Sequence, residues 1–112
     1  MSPTEVRDLA DVLALHPLLP TAWRAAGGAG RFLRDERPAL LDVDTKSSPT
    51  DSVTVMDRTA EAMILAERLG ARPTDGMLGE EGGERLGTSG VRWVVDPLDG
   101  TVNYLFRLPM WG

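Results

Sequence analysis

Val91-Arg92-Trp93-Val94-Val95-Asp96-Pro97-Leu98-Asp99-Gly100-Thr101-Val102-Asn103-Tyr104 is the stretch whose reading decides the fold. It opens with an apolar, β-branched run, the composition of a strand. The run must stop at Pro97, which has no N–H to give a neighbouring strand. Gly100 admits a positive φ that other residues avoid. The reading is a buried strand over 91–95 that delivers two carboxylates, Asp96 and Asp99, into a Gly-Thr turn. Strands that end this way present metal and phosphate ligands in α/β proteins.

Upstream, other loops carry acids after apolar runs. Met77-Leu78-Gly79 leads into Glu80-Glu81-Gly82-Gly83-Glu84, which taken alone is a flexible surface turn. Asp57 precedes an apolar helix with Ala62, Leu65, Ala66 and Leu69 at i, i+3, i+4 and i+7, and Gly70 is placed to end it. Taken alone, Asp57 is an N-cap or first-turn acid. Earlier still, Thr4 to Leu15 has helical spacing in Val6, Leu9, Ala10 and Leu13, broken by Pro17 and Pro20. A second helix is expected from Thr21 to about Asp35, with Trp23, Ala26, Gly30 and Leu33 on one face. Gly27, Gly28 and Gly30 weaken it, and close approach to a neighbour would explain them. Leu40 to Asp44 reads as a short strand, and Thr45 to Asp51 as a polar turn. His16, the single histidine, reads as a capping or packing residue.

Composition sets limits on function. The 112 residues suit one domain or part of one. With 42% hydrophobic and 26% charged residues the chain fits a soluble globular class. Twelve basic against 17 acidic residues give 12 − 17 = −5, which argues against nucleic acid as a partner. A phosphorylated substrate then needs a cation. There is no cysteine, hence no disulfide or thiol chemistry, which fits the cytoplasm. Glu5 and Asp8 stand where a secretory signal would be basic, and no apolar run is long enough to span a membrane.

Glu80, Asp96 and Asp99 form the candidate metal set. Two unit charges about 4 Å apart repel by about 4 kcal/mol at an effective dielectric of about 20. A cluster of carboxylates therefore calls for a proton or a cation. With only oxygen donors, Mg2+ or Mn2+ is favoured over Zn2+. The backbone amides of Gly100 and Thr101 could receive a phosphate, especially if a helix starts there. Together these features suggest metal-assisted phosphoester hydrolysis. The bland alternative is a β-turn, since Pro, Asp and Gly are turn residues.

Asp96-Pro97-Leu98-Asp99-Gly100-Thr101-Val102-Asn103-Tyr104 resembles the Asp-Pro-x-Asp-Gly-Thr-x-Asn-Phe signature of the inositol monophosphatase family. Leu78-Gly79-Glu80-Glu81 resembles that family's Gly-Glu-Glu loop, and Thr50 to Asp57 its Thr-Asp-x-Val-Thr-x-x-Asp element. The resemblance implies the α/β layered sandwich shared with fructose-1,6-bisphosphatase, in its N-terminal portion. Residues 1–19 would then be a variable helix and 20–112 the family-like region, with the C-terminal half and its later metal-ligating aspartate absent.

By the same resemblance, Glu80, Asp96 and the Leu98 carbonyl would bind one Mg2+, and Asp96 and Asp99 would share in a second. Two or three ions are implied. Asp57 and Thr101 would orient and deprotonate water, Glu80 assisting. Glu80, Leu98, Asp99, Gly100 and Thr101 would line the substrate. The substrate would be a small polyol phosphate such as inositol 1-phosphate, with lithium sensitivity and a homodimeric full-length parent as further family expectations. Asn103-Tyr104 matches the inositol phosphatase branch, and histidinol phosphatases share the form. Tyr104 replaces the usual Phe, which would add a hydroxyl near the site. Leu105, Phe106 and Trp111 are expected to lack covering partners. The Asp-x-Asp-Gly-Thr motif of haloacid dehalogenase phosphatases is not matched, because Pro97 stands two before Asp99. A metal-binding fragment without turnover remains the alternative from another class.

Overall fold

The computed structural model describes residues 8–37, 49–80 and 82–112. Helix α1 spans Leu9–Leu13, and its Asp8 cap accepts the Asp11 N–H at 2.9 Å. The helix expected over 4–15 is thus shorter within the described residues, and residues 1–7 lie outside them. His16 Nδ1 accepts the Leu18 N–H at 3.1 Å, a local structural bond just ahead of the next helix, whose N-cap Leu18 makes no side-chain cap bond.

Helix α2 spans Leu19–Asp35, and Pro20 opens it instead of breaking it. A first-turn residue has no helical acceptor for its N–H, so proline costs nothing there. The buried face is Thr21, Ala25, Ala29 and Leu33, every fourth residue; of the expected Trp23, Ala26, Gly30 and Leu33, Leu33 alone lies on it. Trp23 is 55% exposed. Two alanines on the inner face let the next helix come close. Gly28 and Gly30 have open space beside them, so close approach does not account for them.

That next helix, α3, spans Pro49–Ala71. Residues 49–51 are helical, not part of a turn; 45–48 and the strand expected at 40–44 lie outside the described residues. Asp57 is therefore well inside the helix and caps nothing. Val53, Met56 and Ala60, at i, i+3 and i+7, are buried, whereas the expected face of Ala62, Ala66 and Leu69 is exposed. Tertiary partners for Val53 and Met56 outweigh the weak helix propensity of 50–57.

Strands β1 (Gly76–Gly79), β2 (Gly83–Arg85) and β3 (Arg92–Val95) form a mixed sheet in the order β2-β1-β3. β1 and β2 are an antiparallel hairpin pairing Gly79 with Gly83. β1 and β3 are parallel, with Met77 beside Trp93, Leu78 beside Val94 and Gly79 beside Val95. Met77 is buried towards α3. The opposite face, with Leu78 and Val94, is open, and Val94 is 70% exposed. The expected strand is present over Arg92–Val95, but it is not buried: its residues are exposed or half-buried in alternation. The short helix α4 (Thr101–Leu105) follows.

One core joins the helices to the turn after β3: Ala29, Leu33, Val53, Met56 and Ala60 meet Leu98 and Tyr104. Burying each large apolar side chain contributes roughly 1.5–3 kcal/mol. Leu105 and Trp111 pack against this cluster, contrary to the expectation that they lack cover, while Phe106 is 69% exposed as expected. Trp111 meets the Tyr104 ring edge-on at 4.9 Å. The architecture is α/β, as the sequence implies.

Candidate metal and phosphate site

The parallel register brings the first two acids together. Because Gly79 lies beside Val95, the residues that follow them, Glu80 and Asp96, leave adjacent strands at the same end. Both line one cleft of about 320 Å³, whose remaining walls are Leu78, Gly79, Val94 and Val95. Asp99 does not line this cleft. Among the described residues no three His, Cys, Asp or Glu side chains stand close enough together to hold a metal ion. The pair nonetheless fits a hard dication: both donors are carboxylate oxygens at the ends of paired strands, and no thiol or imidazole is beside them.

The turn beyond Asp96 is internally bonded. Asp96 Oδ1 accepts the Leu98 N–H at 3.3 Å, and the Leu98 carbonyl accepts the Thr101 hydroxyl at 3.3 Å. The buried Leu98 side chain pins this turn into the core. Gly100 has φ 79° and caps α4, as the sequence predicts. A Cβ there would also lie 2.8 Å from the Met110 carbonyl, so glycine is required twice over. Asp99 exchanges backbone bonds with Gly112, N–H to O at 2.6 Å and O from N–H at 3.1 Å. Asn103 Nδ2 donates to the Met110 carbonyl at 2.8 Å.

Asp57 faces the α4 side of α3. Its Oδ1 is shielded from solvent, and its charge helps raise the Tyr104 phenol. Burial is the main cause of that shift, opposed by Arg37, and the pKa is pushed up to about 12. The Arg37 guanidinium lies 4.8 Å from the Tyr104 ring centre. The Tyr104 hydroxyl does not reach the cleft; it donates to the Leu33 carbonyl at 2.8 Å and ties α4 to the last turn of α2. That carbonyl lies among those a helix end leaves unbonded.

Two further acids go unremarked in a reading by motif. Asp75 is buried and accepts from Arg72 Nε at 2.7 Å, Ser89 Oγ at 2.6 Å and Trp93 Nε1 at 2.9 Å. The Arg72 bond, with Ser89 and Trp93 behind it, holds the carboxyl well below the usual carboxylate range. Arg72-x-x-Asp75 spacing is its one signal in the sequence. Glu61 is 6% exposed on α3 and lines a cavity of about 250 Å³ with Arg58, Met77, Gly79, Gly82, Gly83 and Arg85. Its signal is position i+4 from Asp57.

Comparison with known proteins places this arrangement. Residues 14–112 match the model of the inositol monophosphatase family. An inositol-1-monophosphatase of Rhizobium meliloti is 56% identical over 99 residues, covering 87% of this chain and 37% of that protein. The Nus factor SuhB of Escherichia coli K12 is 42% identical over 98 residues, covering 85% of this chain and 36% of that protein. The crystal structure of the extragenic suppressor protein suhB of Bartonella henselae superposes with a TM-score of 0.69 at 39% identity, covering 86% of this chain and 37% of that one. The chain thus spans somewhat more than a third of the length of the curated relatives it matches, 36–38%. With the signature turn, the paired acids and the matched region in agreement, the chain belongs to the inositol monophosphatase family.

Proposed function

We propose that the protein serves Mg2+-dependent hydrolysis of a small polyol phosphomonoester such as inositol 1-phosphate. The observation that carries this reading is the placing of Glu80 and Asp96 side by side at the ends of parallel strands, with the Asp99-Gly100-Thr101 turn following Asp96 in the chain. Glu80, Asp96, the Leu98 carbonyl and Asp99 would hold two or three Mg2+, with Mn2+ able to substitute. Bound cations would screen the phosphoryl oxygens and acidify the attacking water.

This chain's own residues supply the rest. The amides of Gly100 and Thr101 receive the phosphate at the start of α4. The Thr101 hydroxyl and the Asp57 carboxylate orient the water and take its proton, with Glu80 assisting. Asp99 and the Leu98 backbone border the substrate. Histidinol phosphate is the competing substrate within the same reading. The full-length parent is proposed as a cytoplasmic homodimer acting on a small phosphate, with neither nucleic acid nor membrane as ligand.

Phosphate release from inositol 1-phosphate and from histidinol phosphate, with and without Mg2+, tests the reading, with Asp99→Asn as control. Release from neither substrate would sink it for this chain. A second reading, cation binding without turnover, is favoured by the pairing of only two of the acids in the cleft. Mn2+ uptake without phosphate release selects it.

A further inference from the structure

We infer that Glu61 is a positioning residue for the Glu80 turn, holding that turn from behind through its carboxylate; the inference rests on the proposed role of Glu80 as a cation ligand. A carboxylate this deeply buried is costly unless its oxygens are hydrogen-bonded. Its surroundings point to where those bonds go. A Cβ added to Gly79 would overlap Glu61 Oε1 and stand 2.6 Å from Cδ. A Cβ added to Gly82 would stand 2.9 Å from Oε2. The two oxygens therefore press against the two ends of the turn that carries Glu80, where backbone N–H groups are the donors a carboxylate would accept from.

The glycines are thus explained by what lies behind them. Only a residue without a side chain lets the backbone descend onto the carboxylate. Gly79 lines both cavities, the one holding Glu61 and the one shared by Glu80 and Asp96. At Gly79 a single residue separates the two. Glu61 stands on one side and the paired acids open on the other. Glu61 lines the cavity behind Gly79 and not the Glu80–Asp96 cleft, so its action is through the turn and not on the cation. It also sits one helical turn beyond Asp57, so a single helix, α3, would orient both the water-directing acid and the ligand loop.

The test uses the chain with Glu61→Gln, which keeps the volume and removes one acceptor oxygen. Electron paramagnetic resonance titration with Mn2+ should show affinity at least about tenfold weaker, the low end of what loss of a supporting partner costs a metal site. Amide hydrogen exchange over Gly79–Gly83 should accelerate while protection in α2 stays unchanged. A space-filling role predicts neither change, and wild-type behaviour in both measurements overturns the inference. If the wild-type chain takes up no Mn2+, the proposed function fails for this chain. Exchange at the turn then decides Glu61 alone: acceleration upholds the anchor and its absence refutes it. Should Glu61→Gln fail to fold, Gly82→Ala presses on the same carboxylate from the turn and carries the same two readouts.

Discussion

The helical layer and the sheet are built to different standards of closure. Between α2, α3 and α4 the side chains interlock: Leu33 is 1% exposed and Tyr104 not at all. Across the sheet, one face rests on α3 while Leu78 and Val94 face outward over the cleft. The contrast separates two tasks of the signature. Leu98 and Tyr104 are buried in the closed layer, and Asp96 lines the open cleft. The same short turn thus reaches both the core and the cleft.

Substitutions can break that division or sharpen it. Leu33→Ala should cost about 3 kcal/mol, seen in denaturant unfolding, because it empties the closed layer. Asp96→Asn should leave that stability in place and weaken Mn2+ binding by more than about 100-fold, beyond the range of supporting residues. Equal loss of both properties in either variant would mean that the layers are not separable. Tyr104→Phe removes the bond to the Leu33 carbonyl and should cost about 1 kcal/mol, with cation affinity unchanged. It should also abolish an alkaline limb. The neutral phenol favours the folded state up to its ordinary pKa near 10. That preference is lost as pH rises towards about 12.

Acid should act through Asp75, whose depressed pKa makes its contribution complete at neutral pH. That contribution fades as pH falls below about 4, the ordinary carboxylate value, towards the lower folded one. Asp75→Asn should flatten the acid limb of a stability profile. The smallest effect is expected on the open face. Val94→Ser should change stability by no more than about 0.5 kcal/mol while reducing concentration-dependent association in light scattering.

Legibility in the sequence follows locality. Asp96 to Tyr104 is readable because strand end, proline, glycine and helix start are consecutive, and each is fixed by backbone chemistry. The cleft shared by Glu80 and Asp96 is readable only in part, since the parallel register that joins them is a long-range fact. The inner faces of α2 and α3 are misread for one reason: alanine and glycine carry little periodic signal, and Trp23 draws the eye to the wrong side of its helix. Asp57 looks like a cap because 50–57 favours a helix only once Val53 and Met56 find partners. Glu61 and Asp75 have no motif, and their burial is decided by what packs against them.

The three tryptophans stand in three different surroundings. Trp23 is solvent-facing on α2, Trp93 is bonded through its indole N–H to Asp75 beside the sheet, and Trp111 lies edge-on to Tyr104. The molecule therefore carries its own optical reporters, one outside, one at the sheet and one at the core. Single-tryptophan versions, the other two replaced by phenylalanine, would let emission follow the sheet and the helical layer separately as each melts.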